Sequence, residues 1–200
     1  MHKKSFIFAS AFALLLIFGA VTINITSPDG SSELSYPMYS VNMTQEALAA
    51  RFDHLSQQKT NSCGGGKDYV AWLSDDGKRI QGSCCSPMTL HSYEDQIEGL
   101  KKYADYDIIP PDPYDVSAVW ADGMMEYAEQ TKLSAEQQAI YDEAMKMSRE
   151  GGPCCCVCWH WYAYEGLAKH LIASGDFSSE QIAEIWDLSD ACGGDHNHGH

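Results

Sequence analysis

The chain has 200 residues, and its 28 acidic residues outnumber its 13 basic residues, which gives a formal net charge of −15. A surface with this charge repels phosphates and anionic lipid headgroups, so the composition argues against nucleic-acid binding. The chain also contains eight cysteines, and we expect these thiols to carry its chemistry.

The N-terminus has the layout of an export signal or a signal anchor. Lys3 and Lys4 precede an apolar run from Phe6 to Ile23, which is about long enough to span a bilayer. No small-x-small cleavage site stands out near its end. We therefore predict a single-pass anchor at residues 1–23, with the remaining chain outside the cytoplasm. The alternative is a cleaved signal and a secreted or periplasmic protein.

Three further regions follow the anchor. Residues 24–43 are rich in Ser, Pro, Gly and Asn and predict a tether. Residues 44–194 are sufficient for one domain with its own hydrophobic core. Residues 195–200 form a tail with three histidines, and such a tail can bind Cu(II), Ni(II) or Zn(II) weakly.

The predicted domain is mainly α, with about six helical segments in a bundle-like arrangement and one small β-hairpin. Thr44 is placed to cap a first helix that extends to about Gln57. In the stretch from Asp68 to Gly82, apolar and polar residues alternate on both sides of a turn at residues 75–77, and this pattern predicts the hairpin.

Helical periodicity dominates the rest of the chain. Apolar residues recur at helical spacing over residues 93–104 and 116–127. Ser134 with Gln137 has the form of a capping box for the next helix. A further helix is expected to begin within the last cysteine cluster and to extend to about Ala173. Ser178 or Ser179 is placed to cap a final one.

The segment from Pro153 to His160 carries the strongest chemical signal, because it contains Cys154, Cys155, Cys156 and Cys158. Neighbouring cysteines can rarely all find disulfide partners with good geometry. Clustered thiolates instead suit a soft metal ion such as Cu(I), Zn(II) or Hg(II). A helix that starts here would also stabilise thiolates and lower the thiol pKa, which favours metal binding and thiol exchange alike.

The other cysteines allow two interpretations. Cys84 and Cys85 can complete a site with the main cluster, or they can form plain disulfides with Cys63 and Cys192. His160 stands beside the cluster and is a further candidate ligand. His170 lies on an apolar helical stripe, so we expect it in the core.

The sequence allows two alternatives to metal binding. Cys155 and Cys158 form a CxxC pair that suits a thiol–disulfide redox protein, although no βαβ pattern surrounds it. A third hypothesis is an interaction module in which all eight cysteines form disulfides. The chain has no GxSxG, HExxH or GxGxxG motif, so the sequence favours a binding protein over a hydrolase or a nucleotide enzyme.

The pattern PCxCxC from Pro153 to Cys158 resembles the signature of the exported bacterial PCYCGC proteins. The segments GSCCSPM and PCCCVCWHWYAYEGLAKHLI are also similar to those of a group of uncharacterised cysteine-rich exported proteins. These resemblances imply export and thiol chemistry.

We therefore predict an extracytoplasmic thiol-rich protein that binds a soft metal ion for capture, delivery or resistance. Its expected partners are the membrane, through the N-terminal helix, and a metal transporter or a thiol client. The predicted ligands are Cys154, Cys156 and Cys158, with Cys155, Cys84, Cys85 or His160 completing the set.

Overall fold

The computed structural model describes residues 43–194. The predicted anchor at residues 1–23, the tether up to residue 42 and the histidine tail at 195–200 lie outside the described residues. Within residues 43–194, none of the helices combines the length and the apolar character that crossing a bilayer requires.

Over the described residues the domain contains seven α-helices and one antiparallel sheet of two strands, which confirms the mainly α prediction. A short 3-10 turn over Lys101–Tyr103 follows the third helix. The elements are α1 (Gln45–Leu55), α2 (Lys67–Asp75), β1 (Arg79–Gln81), α3 (Leu90–Leu100), β2 (Asp115–Ser117), α4 (Ala118–Gln130), α5 (Ala135–Met147), α6 (Trp159–Ser174) and α7 (Ser179–Leu188).

Three predicted helix starts are confirmed by their caps, whereas the helix that was expected to begin within the last cysteine cluster begins at Trp159, directly after that cluster. The Thr44 side chain accepts a hydrogen bond from a backbone N–H in the first turn of α1. Ser134 with Gln137, at α5, and Ser178 with Gln181, at α7, both form capping boxes. Each cap satisfies backbone donors that the first turn of a helix leaves unpaired.

The predicted hairpin is wrong, because its first arm is helix α2 rather than a strand. Val70 and Leu73 are three residues apart, and both are buried when this segment is helical. The second arm is strand β1, which pairs with the distant strand β2 so that Ile80 faces Val116. Gly77, at a φ of 61°, makes the turn that connects α2 to β1.

The hydrophobic core is built around α6, whose buried residues include Ala163, Leu167 and Leu171. Helix α4 crosses α6 at Gly166. A Cβ atom added there would lie 1.9 Å from the carbonyl oxygen of Met124, so the two helix backbones are in direct contact. This contact fixes α6 and therefore the position of the cysteine segment that precedes it.

We expect Gly166→Ala to lower the free energy of unfolding by about 1–3 kcal/mol, because the added methyl group forces α4 away from α6. The matched control is Gly123→Ala in α4, where an added Cβ meets nothing within 4 Å. That change should instead raise stability by up to about 1 kcal/mol through helix propensity. Urea unfolding followed by circular dichroism measures both, and equal stabilities would contradict the close approach of the helices.

Candidate metal centre

All eight cysteines lie outside the helices and strands, in four loops that meet at one place. The first loop follows α1, the second follows β1, the third connects α5 to α6 and the fourth follows α7. We call them the cysteine loops. They carry Cys63 in the first, Cys84 and Cys85 in the second, Cys154, Cys155, Cys156 and Cys158 in the third, and Cys192 in the fourth.

Backbone hydrogen bonds join the second cysteine loop to the fourth. The N–H of Cys84 donates to the Ala191 carbonyl oxygen at 3.1 Å, and the N–H of Ser86 donates to the Cys192 carbonyl oxygen at 2.8 Å. Gly193 has a φ of +76°, and a Cβ atom there would lie 2.1 Å from the Ser86 carbonyl oxygen. Only glycine permits this conformation and this approach without strain.

One buried amide joins the other loops. Asn61 is 6% exposed, and its side-chain nitrogen donates to the Gly82 carbonyl oxygen at 2.9 Å. Its side-chain oxygen accepts from Nε1 of Trp159 at 3.1 Å. Its backbone N–H donates to the Gln81 carbonyl oxygen at 3.0 Å. Asn61 therefore ties the start of the first cysteine loop to the second loop and to the first residue of α6.

The sulfur atoms of Cys156, Cys63, Cys85 and Cys84 form a continuous series. The Sγ–Sγ distance is 3.5 Å from Cys156 to Cys63, 3.1 Å from Cys63 to Cys85 and 3.4 Å from Cys85 to Cys84. The series uses three of the four cysteine loops, so residues from distant parts of the chain contribute neighbouring donors.

Cys192 continues the series into the third loop. Its Sγ lies 3.8 Å from that of Cys84, 3.7 Å from that of Cys154 and 3.1 Å from that of Cys155. All eight cysteines are free thiols in the structure, and these separations exceed the length of about 2.05 Å of a disulfide bond. The eight thiols therefore form one cluster.

The cluster contains four groups of three sulfurs, and within each group all Sγ atoms lie within 4.8 Å of one another. Every cysteine belongs to at least one group, and each group is suited to hold a soft metal ion. The groups are Cys63, Cys85 and Cys156; Cys84, Cys85 and Cys192; Cys154, Cys155 and Cys192; and Cys154, Cys156 and Cys158.

The cluster has a buried side and a solvent-facing side. Cys154, Cys158 and Cys192 are buried, whereas Cys85 and Cys155 are exposed. The buried thiols are protected from reagents in solution. The exposed thiols are accessible to an incoming ion or to a partner protein.

The thiol pKa values are pushed apart by the crowding. A hydrogen bond with Cys154 lowers the pKa of Cys158 to about 5. Backbone N–H groups at the start of α6 act in the same direction, and burial opposes them. The pKa of Cys154 is raised by hydrogen bonds with Cys158 and Cys192 and by burial. Burial also raises the pKa of Cys63 and of Cys156. Because thiolates repel one another at these distances, a bound cation would stabilise the charged forms.

His160 lies beside the cluster but belongs to none of the four sulfur groups. It is buried, its Nε2 donates to the Ser189 carbonyl oxygen at 2.9 Å, and its ring stacks on Tyr164 at 4.1 Å. Burial lowers its pKa. These contacts hold the start of α6 against the fourth cysteine loop, and a ligand role for His160 stays a prediction.

The structure brings together the six cysteines that the sequence analysis proposed as ligands and adds Cys63 and Cys192 to them. Cys155 and Cys158, the CxxC pair, share no group, and the Cys155 sulfur is instead adjacent to Cys192. Cys63 and Cys192, which the sequence analysis did not propose as ligands, share one sequence signal. Glycines directly follow both residues, at 64–66 and at 193–194, and they indicate tight loops in which backbones approach closely.

We expect Asn61→Ala to lower the free energy of unfolding by about 2–4 kcal/mol, because it leaves the Gly82 carbonyl and the Trp159 N–H buried without partners. It should also speed the modification of Cys154 and Cys158 by a thiol reagent under native conditions, since the loops separate. Mass spectrometry of labelled peptides measures that rate.

Tyr103→Phe is the control for this experiment. Tyr103 lies on the 3-10 turn after α3, and the change removes the part-buried hydrogen bond of 2.8 Å that its hydroxyl donates to Glu184 in α7. We expect a loss of about 1 kcal/mol and no change in thiol labelling. Faster labelling in both variants would show that Asn61 acts through general stability and does not hold the cysteine loops together.

Comparisons of the chain with protein-family models, with curated proteins and with solved structures found no match. The resemblance to the PCYCGC proteins and to the cysteine-rich exported group therefore stays a prediction from short motifs. Evidence on function therefore comes from the arrangement of the eight thiols, because function resides in a site rather than in a fold.

Proposed function

We propose that this protein binds soft metal ions through its cysteine cluster and serves in their capture, delivery or resistance outside the cytoplasm. One observation carries the proposal: all eight cysteines, from four separate loops, bring their sulfur atoms into one cluster of overlapping three-sulfur groups. A chain that needs only covalent staples has no requirement for such convergence, because each disulfide joins two residues at a separate place.

The donor chemistry supports a soft metal. Thiolate sulfur prefers Cu(I), Zn(II) and Hg(II) over hard cations such as Mg²⁺ or Ca²⁺. The net charge of −15 attracts cations to the protein surface in general. The cluster then supplies the selectivity that surface carboxylates lack.

The exposure of Cys85 and Cys155 supports exchange of the ion with a partner. A thiol of a metal transporter or a client protein can approach these two sulfurs and replace them as ligands one at a time. The predicted anchor at residues 1–23 would hold the cluster at the outer face of a membrane, where it can meet incoming metal and membrane-bound partners.

A second candidate function is thiol–disulfide exchange, and the separations of 3.1 Å at Cys155–Cys192 and at Cys63–Cys85 favour it. In each pair one thiol is exposed. Oxidation of such a pair to a disulfide would transfer two electrons and two protons to a client disulfide, which becomes two thiols. We therefore propose Cys155 with Cys192, or Cys63 with Cys85, as the exchanging pair in this function, in place of Cys155 with Cys158.

Native mass spectrometry with a free-thiol count distinguishes these functions. The full-length chain is purified in mild detergent under nitrogen, without reductant, and is then offered Cu(I), Zn(II) or Hg(II) separately. We expect bound metal on the wild-type chain. The triple variant Cys154→Ser, Cys156→Ser and Cys158→Ser should lose at least half of it, because it removes one sulfur group completely and weakens two others.

Val157→Ser is the matched control, because Val157 lies within the same segment and is 65% exposed. It should bind metal like the wild-type chain. A metal-free chain with one disulfide that mild reductant opens would support exchange instead. Four disulfides that resist mild reductant would contradict both functions and indicate a stapled interaction module.

A further inference from the structure

The four sulfur groups overlap in a closed order. Each neighbouring pair of groups has one cysteine in common, and the fourth group shares a member with the first. Cys85 is common to the groups that contain Cys63 and Cys84, and Cys192 to those that contain Cys84 and Cys155. Cys154 is common to the groups that contain Cys155 and Cys158, and Cys156 to those that contain Cys158 and Cys63. We call these four residues the shared thiols.

The other four cysteines each belong to a single group, and each group contains one of them. We call them the unshared thiols. They are Cys63, Cys84, Cys155 and Cys158, in the same order of groups. Eight thiols thus provide three ligands to each of four metal positions, without a surplus and without a deficit.

We propose that the cluster holds four Cu(I) ions in a ring, with the shared thiols as bridging ligands and the unshared thiols as terminal ligands. This inference rests on the proposed function and adds the metal, the number of ions and the role of each cysteine. Every ion would be bound by two bridging sulfurs and one terminal sulfur.

The coordination number selects Cu(I) among the soft metals. A Zn(II) site is almost always tetrahedral with four ligands, whereas each group offers three sulfurs. Hg(II) binds strongly to two thiolates and does not need a third. Cu(I) forms stable three-coordinate thiolate complexes, its thiolates commonly bridge two ions, and soft sulfur donors favour it. Each group in the described residues consists of cysteine sulfurs, with no imidazole or carboxylate among them.

Sharing makes the four positions depend on one another. The first ion to bind orders two bridging thiolates, and each of these is already one of the three ligands of a neighbouring position. Loading should therefore be cooperative, with the filled cluster more abundant than chains holding one, two or three ions. Removing a bridging thiol damages two positions, whereas removing a terminal thiol damages one.

Two pairs of adjacent cysteines provide matched variants for a test. Cys85 is a shared thiol next to the unshared Cys84, and Cys154 is a shared thiol next to the unshared Cys155. The shared residue is the more exposed member of the first pair and the more buried member of the second. If the loss of copper followed burial, the shared variant would lose less copper than its neighbour in the first pair and more in the second. If it follows bridging, the shared variant loses more copper in both pairs.

The full-length chain and each single Cys→Ser variant are titrated under nitrogen with the acetonitrile complex of Cu(I) and measured by native mass spectrometry. We expect the wild-type chain to fill directly to four ions. Cys84→Ser and Cys155→Ser should retain three ions, and Cys85→Ser and Cys154→Ser should retain two. Copper X-ray absorption should show three sulfur neighbours and a copper–copper contribution in the wild-type chain.

Several results would overturn the ring while leaving soft-metal binding intact. These are a statistical distribution of one to four ions, equal losses within both pairs, or binding of Zn(II) or Hg(II) without Cu(I). A chain that keeps free thiols and binds none of the three metals would overturn the proposed function itself. Circular dichroism of each variant confirms that it is folded before its copper content is interpreted.

Discussion

The buried amide of Asn61 is the contact on which the arrangement of the cysteines depends. A loop carries few apolar residues of its own, so four loops meet at one place only when specific hydrogen bonds hold them there. Asn61 supplies such bonds to Gly82 and Trp159, and the backbone pairing of the Cys84 and Cys192 segments supplies further ones. The helices hold the ends of the loops in place, and these hydrogen bonds bring the loops and their thiols together.

The helical part of the fold could be predicted from the sequence because its signals are local. Caps such as Ser134 and Ser178, and apolar residues at helical spacing, act within a few turns of one chain segment. The sheet could not be predicted, because β1 has only three residues and its partner strand lies beyond α3. The alternation of apolar and polar residues before the turn at Gly77 suits a hairpin. Val70 and Leu73 fit the helical period equally well, and both are buried in the core when the segment is a helix.

The candidate site shows the same division between local and distant information. Four thiols within residues 154–158 are visible as a cluster in the sequence, and Cys84 with Cys85 can be added as a second pair. The inclusion of Cys63 and Cys192 depends on contacts across most of the domain, such as the Cys63–Cys156 and Cys192–Cys84 contacts. No periodicity or motif encodes contacts of that range. The adjacent glycines indicate that these cysteines lie in tight loops, but not which loops meet.

Only the buried side of the cluster contributes to the packing of the fold. Cys154, Cys158 and Cys192 belong to the same hydrophobic core as Trp159 and Leu167, so in the proposed function their sulfurs would serve both packing and metal binding. An ion that binds them more tightly in the folded chain than in the unfolded chain would also stabilise the folded domain. Cys85 and Cys155 are exposed and contribute little to packing. Ligand exchange at these two positions would not loosen the core, so a stable fold is compatible with the proposed release of metal ions.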